Sequence, residues 1–200
     1  MKSITRRRGS SGARAKSRGK TRSRRRAIPK VRPEFREYMR KIDSYRAGRN
    51  PIPLMRTGPS KIARAVNGLT PSQLRRRPAR GKWSIAEILG HLLDTEIVYG
   101  FRYRMALSEP GRPILAYDQA TWAEQLRHRR LSGPRTVAQI QLLRKVNLEL
   151  VGSVPRRTWD RYGLHPERGR ETVRRTLELI AGHDLNHLDQ IQTIKKKYGW

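Results

Sequence analysis

The 200-residue chain has no cysteine, only 16 acidic side chains against 46 Lys and Arg, and 6% aromatic residues. Without thiols there can be no disulfide, no thiolate metal ligand and no cysteine nucleophile, so thiol chemistry would require a small thiol supplied from outside. No apolar run approaches the length needed to cross a bilayer, and the N-terminus lacks the apolar core of a secretory signal. An Arg-rich, acid-free start superficially fits an organelle transit peptide, but it has no apolar face. The cytoplasm is the expected compartment.

The shortage of acid is uneven. Met1 to Arg32 holds 14 Lys and Arg and no Asp or Glu, which leaves the remaining residues at +16 of the total formal charge of +30. This segment, built of Arg, Lys, Ser and Gly, has too little apolar surface to offset the entropy of ordering, so a disordered arm is expected over residues 1–33. Counterion release would draw such an arm to polyanions, nucleic acid first and an anionic membrane surface second. It offers no aromatic ring for base stacking before Phe35. A solubilising tail is the plainer alternative.

Residues 34–50 read as a linker with room for a short helix ended by Gly48, and the following RNPIPLMRTGP reads as an extended connector because prolines interrupt it. From there to residue 200 the pattern is helical. Ile62, Ala63, Val66 and Leu69 give a stripe that predicts a helix over 59–67. Ser84 with Glu87 three residues on has the form of a capping box and opens a long helix reaching to about residue 107. Glu109 to Tyr117, with Pro110, Gly111 and Pro113, reads as a long crossover, followed by a short helix carrying Trp122. A third long helix is predicted over 136–154 and a last one over about 172–198. No stretch alternates long enough to suggest a sheet. The expected fold is all-α, a four-helix bundle over 51–200 with a long crossover between its second and third helices.

Within the last helix, IAGHDLNHLDQI sets His183 and His187 four residues apart, about one helical turn, so both imidazoles leave the same face. A catalytic zinc-like site usually takes three protein ligands and leaves one position open, so a third must come from elsewhere. The chain has three other histidines: His91, His128 and His165. His91 lies inside the second helix among Ile88, Leu92 and Leu93, where it can face a bundle interior. His128, in RHRR, and His165, beside Pro166, read more easily as solvated or loop residues, with His165 a secondary candidate for a substrate contact. Asp94, one turn beyond His91, is a candidate to orient an imidazole, to act as general base, or only to pair with an arginine. The bland alternative is that the paired histidines pack in the core and bind nothing.

Four passages carry a family resemblance: GKWSIAEILGHLLDTE around His91, YDQATWAE from Tyr117, LHPERG from Leu164 and GHDLNHLDQI around His183 and His187. In these the chain resembles the DinB-like superfamily, and within it the YfiT-like metal-dependent hydrolases. The resemblance covers roughly residues 51–196. It implies a four-helix bundle with three histidines, here His91, His183 and His187, around one divalent ion, commonly nickel or zinc. It also implies hydrolysis or transfer of a low-molecular-weight thiol such as bacillithiol or mycothiol, a small-molecule substrate, and homodimers among relatives. Asn186 stands where some relatives carry a further histidine, and the Arg-rich arm lies outside the family pattern. A nucleic-acid-associated protein that binds through the arm, with the bundle as a catalytically silent metal-binding scaffold, is the competing expectation.

Overall fold

The computed structural model describes residues 30–200. The expected disordered arm and its polyanion contacts fall almost wholly outside these residues. Seven α-helices are present among them: α1 (Pro33–Arg46), α2 (Pro51–Val66), α3 (Pro71–Arg75), α4 (Ile85–Ser108), α5 (Gln119–Gln125), α6 (Gly133–Gly152) and α7 (Val173–Tyr198). No helix among the described residues is long and apolar enough to cross a membrane. The bundle consists of α2, α4, α6 and α7. Both α2 and α4 pack on α6 and on α7, so α2 stands diagonally from α4 and α6 from α7.

The predicted start of α4 is realised in full. Ser84 Oγ accepts from Glu87 N–H at 3.3 Å and Glu87 Oε2 accepts from Ser84 N–H at 2.8 Å, which satisfies donors that a helix N-terminus leaves orphaned. Glu87 also pairs with Arg77, tying the connector to the helix.

The first bundle helix begins eight residues before the predicted 59–67 stretch, and the proline-rich connector is helix rather than extended chain. Pro51 and Pro53 fall in the first turn, where an N–H has no helical partner to lose. Pro59 is interior and deprives the Met55 carbonyl of its usual donor. The buried Arg144 replaces it, with Nη1 donating to Met55 O at 2.9 Å. The break that proline normally causes is thus repaired from a neighbouring helix.

The stretch read as linker is the 14-residue α1, packed along α7. Ile42 is buried, and α1 can approach so closely because position 182 is glycine: a Cβ there would run into the carbonyl oxygen of Ile42. Arg175 fixes the contact through two parallel bonds to Asp43, at 2.7 and 2.8 Å.

A small antiparallel hairpin, β1 (Tyr162–His165) and β2 (Gly169–Thr172), occurs where no sheet was expected. Four-residue strands with one large aliphatic residue give no period-2 signal. Gly169, at φ +69°, supplies the left-handed turn. The crossover is tied to it, with Ile114 N–H donating to Leu164 O at 3.0 Å and Leu164 N–H to Arg112 O at 2.8 Å.

The core separates into two apolar clusters. One holds Ile62, Ile85, Ile88, Leu92, Ile140 and Ile191; the other holds Met55, Tyr103, Val151, Leu177 and Ile180. Alongside them on α4, α6 and α7 lie the buried polar residues His91, Glu96, Arg144, Asn147, His183, Asp184 and His187. A folding chain does not bury that many polar groups at its centre without a use for them or full pairing.

Candidate metal centre

α4 supplies His91 and α7 supplies His183 and His187, and the helices bring all three rings together in the bundle interior. His183 Nε2 lies 2.9 Å from His91 Nε2 and 3.1 Å from His187 Nε2. The three rings meet edge to face, with centroids 4.4 to 5.0 Å apart. All three side chains are buried, and Trp83, just outside the α4 cap, tilts against His91 at 5.1 Å.

The protonation state follows from the surroundings. His187 Nδ1 is 3.0 Å from the Gln190 Oε1, which can only accept, so the ring proton sits on Nδ1 and the Nε2 lone pair points to the other rings. Burial holds all three rings neutral. It pushes His187 down to about 4 against the opposing effect of Gln190. It also takes His91 and His183 well below the ordinary imidazole value, with the neighbouring rings adding to the effect. Nδ1 of His91 and of His183 have no hydrogen-bond partner.

Neutral, lone-pair-bearing nitrogens at this spacing suit a cation. An ion about 2.0–2.1 Å from each of two nitrogens, at angles from right to tetrahedral, holds them about 2.9–3.4 Å apart. Both measured separations fall inside that range. The ligating atoms of the three residues lie within 4.8 Å of one another.

A cavity of about 720 Å³ adjoins the cluster, with His91 and His183 in its lining. Its other walls include Phe35 and Tyr38 from α1, Thr95, Tyr99 and Arg102 from α4, Tyr117 from the crossover, and His165 and Arg168 from the hairpin. Burial raises the Tyr117 hydroxyl to about 12, so it stays protonated at neutral pH and can donate to a guest.

The remaining candidates are placed differently from their expected positions. Asp94 Oδ2 is 3.1 Å from His128 Nε2, and neither residue lines the cavity. His128, expected to be solvated, is 3% exposed and sits in the gap left by Gly90, where a Cβ would collide with its ring. His165, also expected in a solvated loop, is 1% exposed on β1 and faces the cavity. Sequence reasoning missed Arg102, Arg168 and the α1 wall. For Arg102 there was a signal: it stands 11 residues past His91, about three helical turns, hence on the same face.

Residues 54–191 match the model of the DinB superfamily. A Bacillus cereus (strain 03BB102) protein named "Putative metal-dependent hydrolase" is 25% identical over 142 residues, covering 71% of this chain and 82% of the relative. A protein of the same description from Bacillus mycoides (strain KBAB4) is equally similar, at 25% over 142 residues, with 71% and 82% covered. Among solved structures, YfiT from Bacillus subtilis, described as a probable metal-dependent hydrolase with an unusual four-helix bundle topology, superposes with a TM-score of 0.69. It shares 22% identity and the match covers 88% of this chain and 94% of that one.

Proposed function

Because this chain belongs to the DinB superfamily, we propose that it is a metal-dependent enzyme acting on a small molecule, with one divalent ion held by His91, His183 and His187. The observation that supports this reading is the convergence of three buried, neutral imidazole nitrogens on one point beside a cavity. Imidazole donors suit zinc and nickel alike. When bound, such an ion supplies Lewis acidity, which can activate a water for hydrolysis or hold a thiolate for transfer to an electrophile.

The chain's own contribution is positional. Gln190 fixes the His187 tautomer, Trp83 packs against the His91 ring, and α1 supplies Phe35 and Tyr38 as one wall of the chamber. With no cysteine in the sequence, a thiol would enter as co-substrate. Asp94 enters this reading only through its partner His128. The bacterial relatives named as metal-dependent hydrolases favour hydrolysis.

The test is elemental analysis of the full chain purified without a polyhistidine tag. We expect about one divalent ion per chain and its loss in His183→Ala. Wild-type protein that carries no metal and takes none up, behaving like His183→Ala, would remove the proposal. Given a loaded protein, turnover of esters or amides without added thiol selects hydrolysis, and turnover only with a thiol and an electrophile selects transfer.

A further inference from the structure

A second polar cluster in the same cavity has more donors than acceptors. His165 Nδ1 lies 3.2 Å from the backbone nitrogen of Glu167 and 3.3 Å from that of Arg168. Both nitrogens can only donate, so Nδ1 carries the lone pair and the ring proton sits on Nε2. His165 Nε2 is in turn 3.4 Å from Arg102 Nη2, which also can only donate. Two N–H groups therefore face one another with nothing between them to accept. Arg102 donates elsewhere to Leu115 O, yet its Nε and Nη1 are buried without a hydrogen-bond partner, in a side chain 4% exposed. Unused donors on a buried guanidinium are costly unless a guest accepts from them.

The charge balance points the same way. Arg102 and Arg168 share a single carboxylate, Glu171. Arg168 bonds it through Nε at 2.5 Å and Nη2 at 3.2 Å, whereas Arg102 Nη1 is 3.8 Å away, beyond bonding distance. Burial would raise Glu171, but the two guanidiniums hold it below the usual carboxylate range, so it is ionised and the buried group of Arg102, Arg168 and Glu171 keeps one surplus positive charge. His165 adds none: burial first, then Arg168, pushes it down to about 3. Three other acids line the cavity. Asp118 is engaged as the α5 cap, accepting from Ala120 and Thr121 N–H at 2.9 and 3.1 Å, while Glu34 is exposed and Glu167 half-buried.

We propose that Arg102 and His165 form a receptor for a carboxylate borne by the substrate, so that the chamber takes a small monoanion. A carboxylate oxygen would accept from both N–H groups, and its single charge matches the surplus, where a phosphate dianion would exceed it. The chamber of about 720 Å³, walled by Phe35, Tyr38 and Tyr99, has room for an aromatic or aliphatic body. That the far end of this molecule reacts at His91 and His183 rests on the metal-enzyme reading; the carboxylate receptor does not.

Calorimetric titration of the full chain with benzoate, benzamide and phenylphosphonate, before and after chelation, tests the proposal. Benzoate is expected to bind in both metal states, at least about tenfold more tightly than benzamide. Arg102→Gln should lose that preference while keeping the metal content of the wild type. Equal affinity for benzoate and benzamide overturns the proposal, as does tighter binding of phenylphosphonate. Benzoate binding that vanishes with the metal overturns it too, because the carboxylate then sat on the ion. Should Arg102→Gln fail to fold, spectra of the wild-type chain with nitrogen-15-labelled histidine decide. The His165 Nε2 resonance should move with benzoate and not with benzamide, and a resonance indifferent to benzoate overturns the assignment. A chain free of metal that still prefers benzoate would sink the enzyme reading and leave the receptor standing.

Discussion

Two of the polar clusters buried in this structure, around Arg144 and around His183, are completed to different degrees. Around Arg144 nothing is missing: Nε and Nη2 donate to Glu96 Oε1 at 2.8 and 2.6 Å, Nη1 and Nη2 to Asp184 at 2.7 and 3.1 Å, and Nη1 to Met55 O at 2.9 Å. Every guanidinium hydrogen is used, and Asn147 bonds the remaining Glu96 oxygen at 3.0 Å. Around His183 the reverse holds. Ring nitrogens crowd together, and two of the three Nδ1 atoms have no partner. A buried network that closes on itself stabilises a fold, and one left open is shaped for something that arrives later.

The contrast can be broken most severely at Arg144. Arg144→Met leaves Glu96 and Asp184 buried without a cation and frees the Met55 carbonyl, and should cost about 3–5 kcal/mol in urea unfolding. A loss under about 1 kcal/mol would show that the network is as loosely held as a surface pair.

Acid should strike next, at the buried histidine rings. The folded chain keeps His187 neutral down to about pH 4 and His165 to about pH 3, whereas the unfolded chain protonates these rings near their ordinary value of 6.5. Below pH 6.5 the unfolded state thus binds more protons, so stability of the metal-free protein is full above 6.5 and falls as pH drops toward 4. Urea midpoints at pH 7 and pH 5 check this, since the window above 4.5 precedes the carboxylates. Equal midpoints would mean that the rings carry their protons in the folded state.

The smallest effect is expected for His183→Ala without metal. That ring has no partner on Nδ1 and borders an existing cavity, so its removal opens no new closed void and should change stability by about 1 kcal/mol or less. With metal present, the variant should lose the added stabilisation that ligand binding gives the wild type. A metal-free loss as large as that of Arg144→Met would make the histidines structural.

Much of this was legible in the sequence where one segment decided its own structure. The α4 and α7 stripes, the Ser84 capping box and the turn-spaced histidines are local patterns, and the three rings meet because two such helices pack together. What escaped depends on distant partners. Pro59 reads as a helix breaker until Arg144 is known to serve Met55. His128 is flanked by arginines and looks solvated, because its burial comes from the gap at Gly90, some 38 positions earlier. His165 is hidden by a hairpin too short to announce itself. α1 has a thin apolar face, and only the missing side chain at Gly182 lets it seat.

Helix α1 contributes Phe35 and Tyr38 to the chamber from outside the two helices, α4 and α7, that hold His91, His183 and His187. Part of the chamber lining and the three clustered imidazoles thereby come from separate stretches of chain. Substitutions at those two aromatic positions are expected to alter the shape of the chamber while His91, His183 and His187 keep their places. By the same division, changes confined to this one helix would reshape the chamber without touching the imidazole cluster.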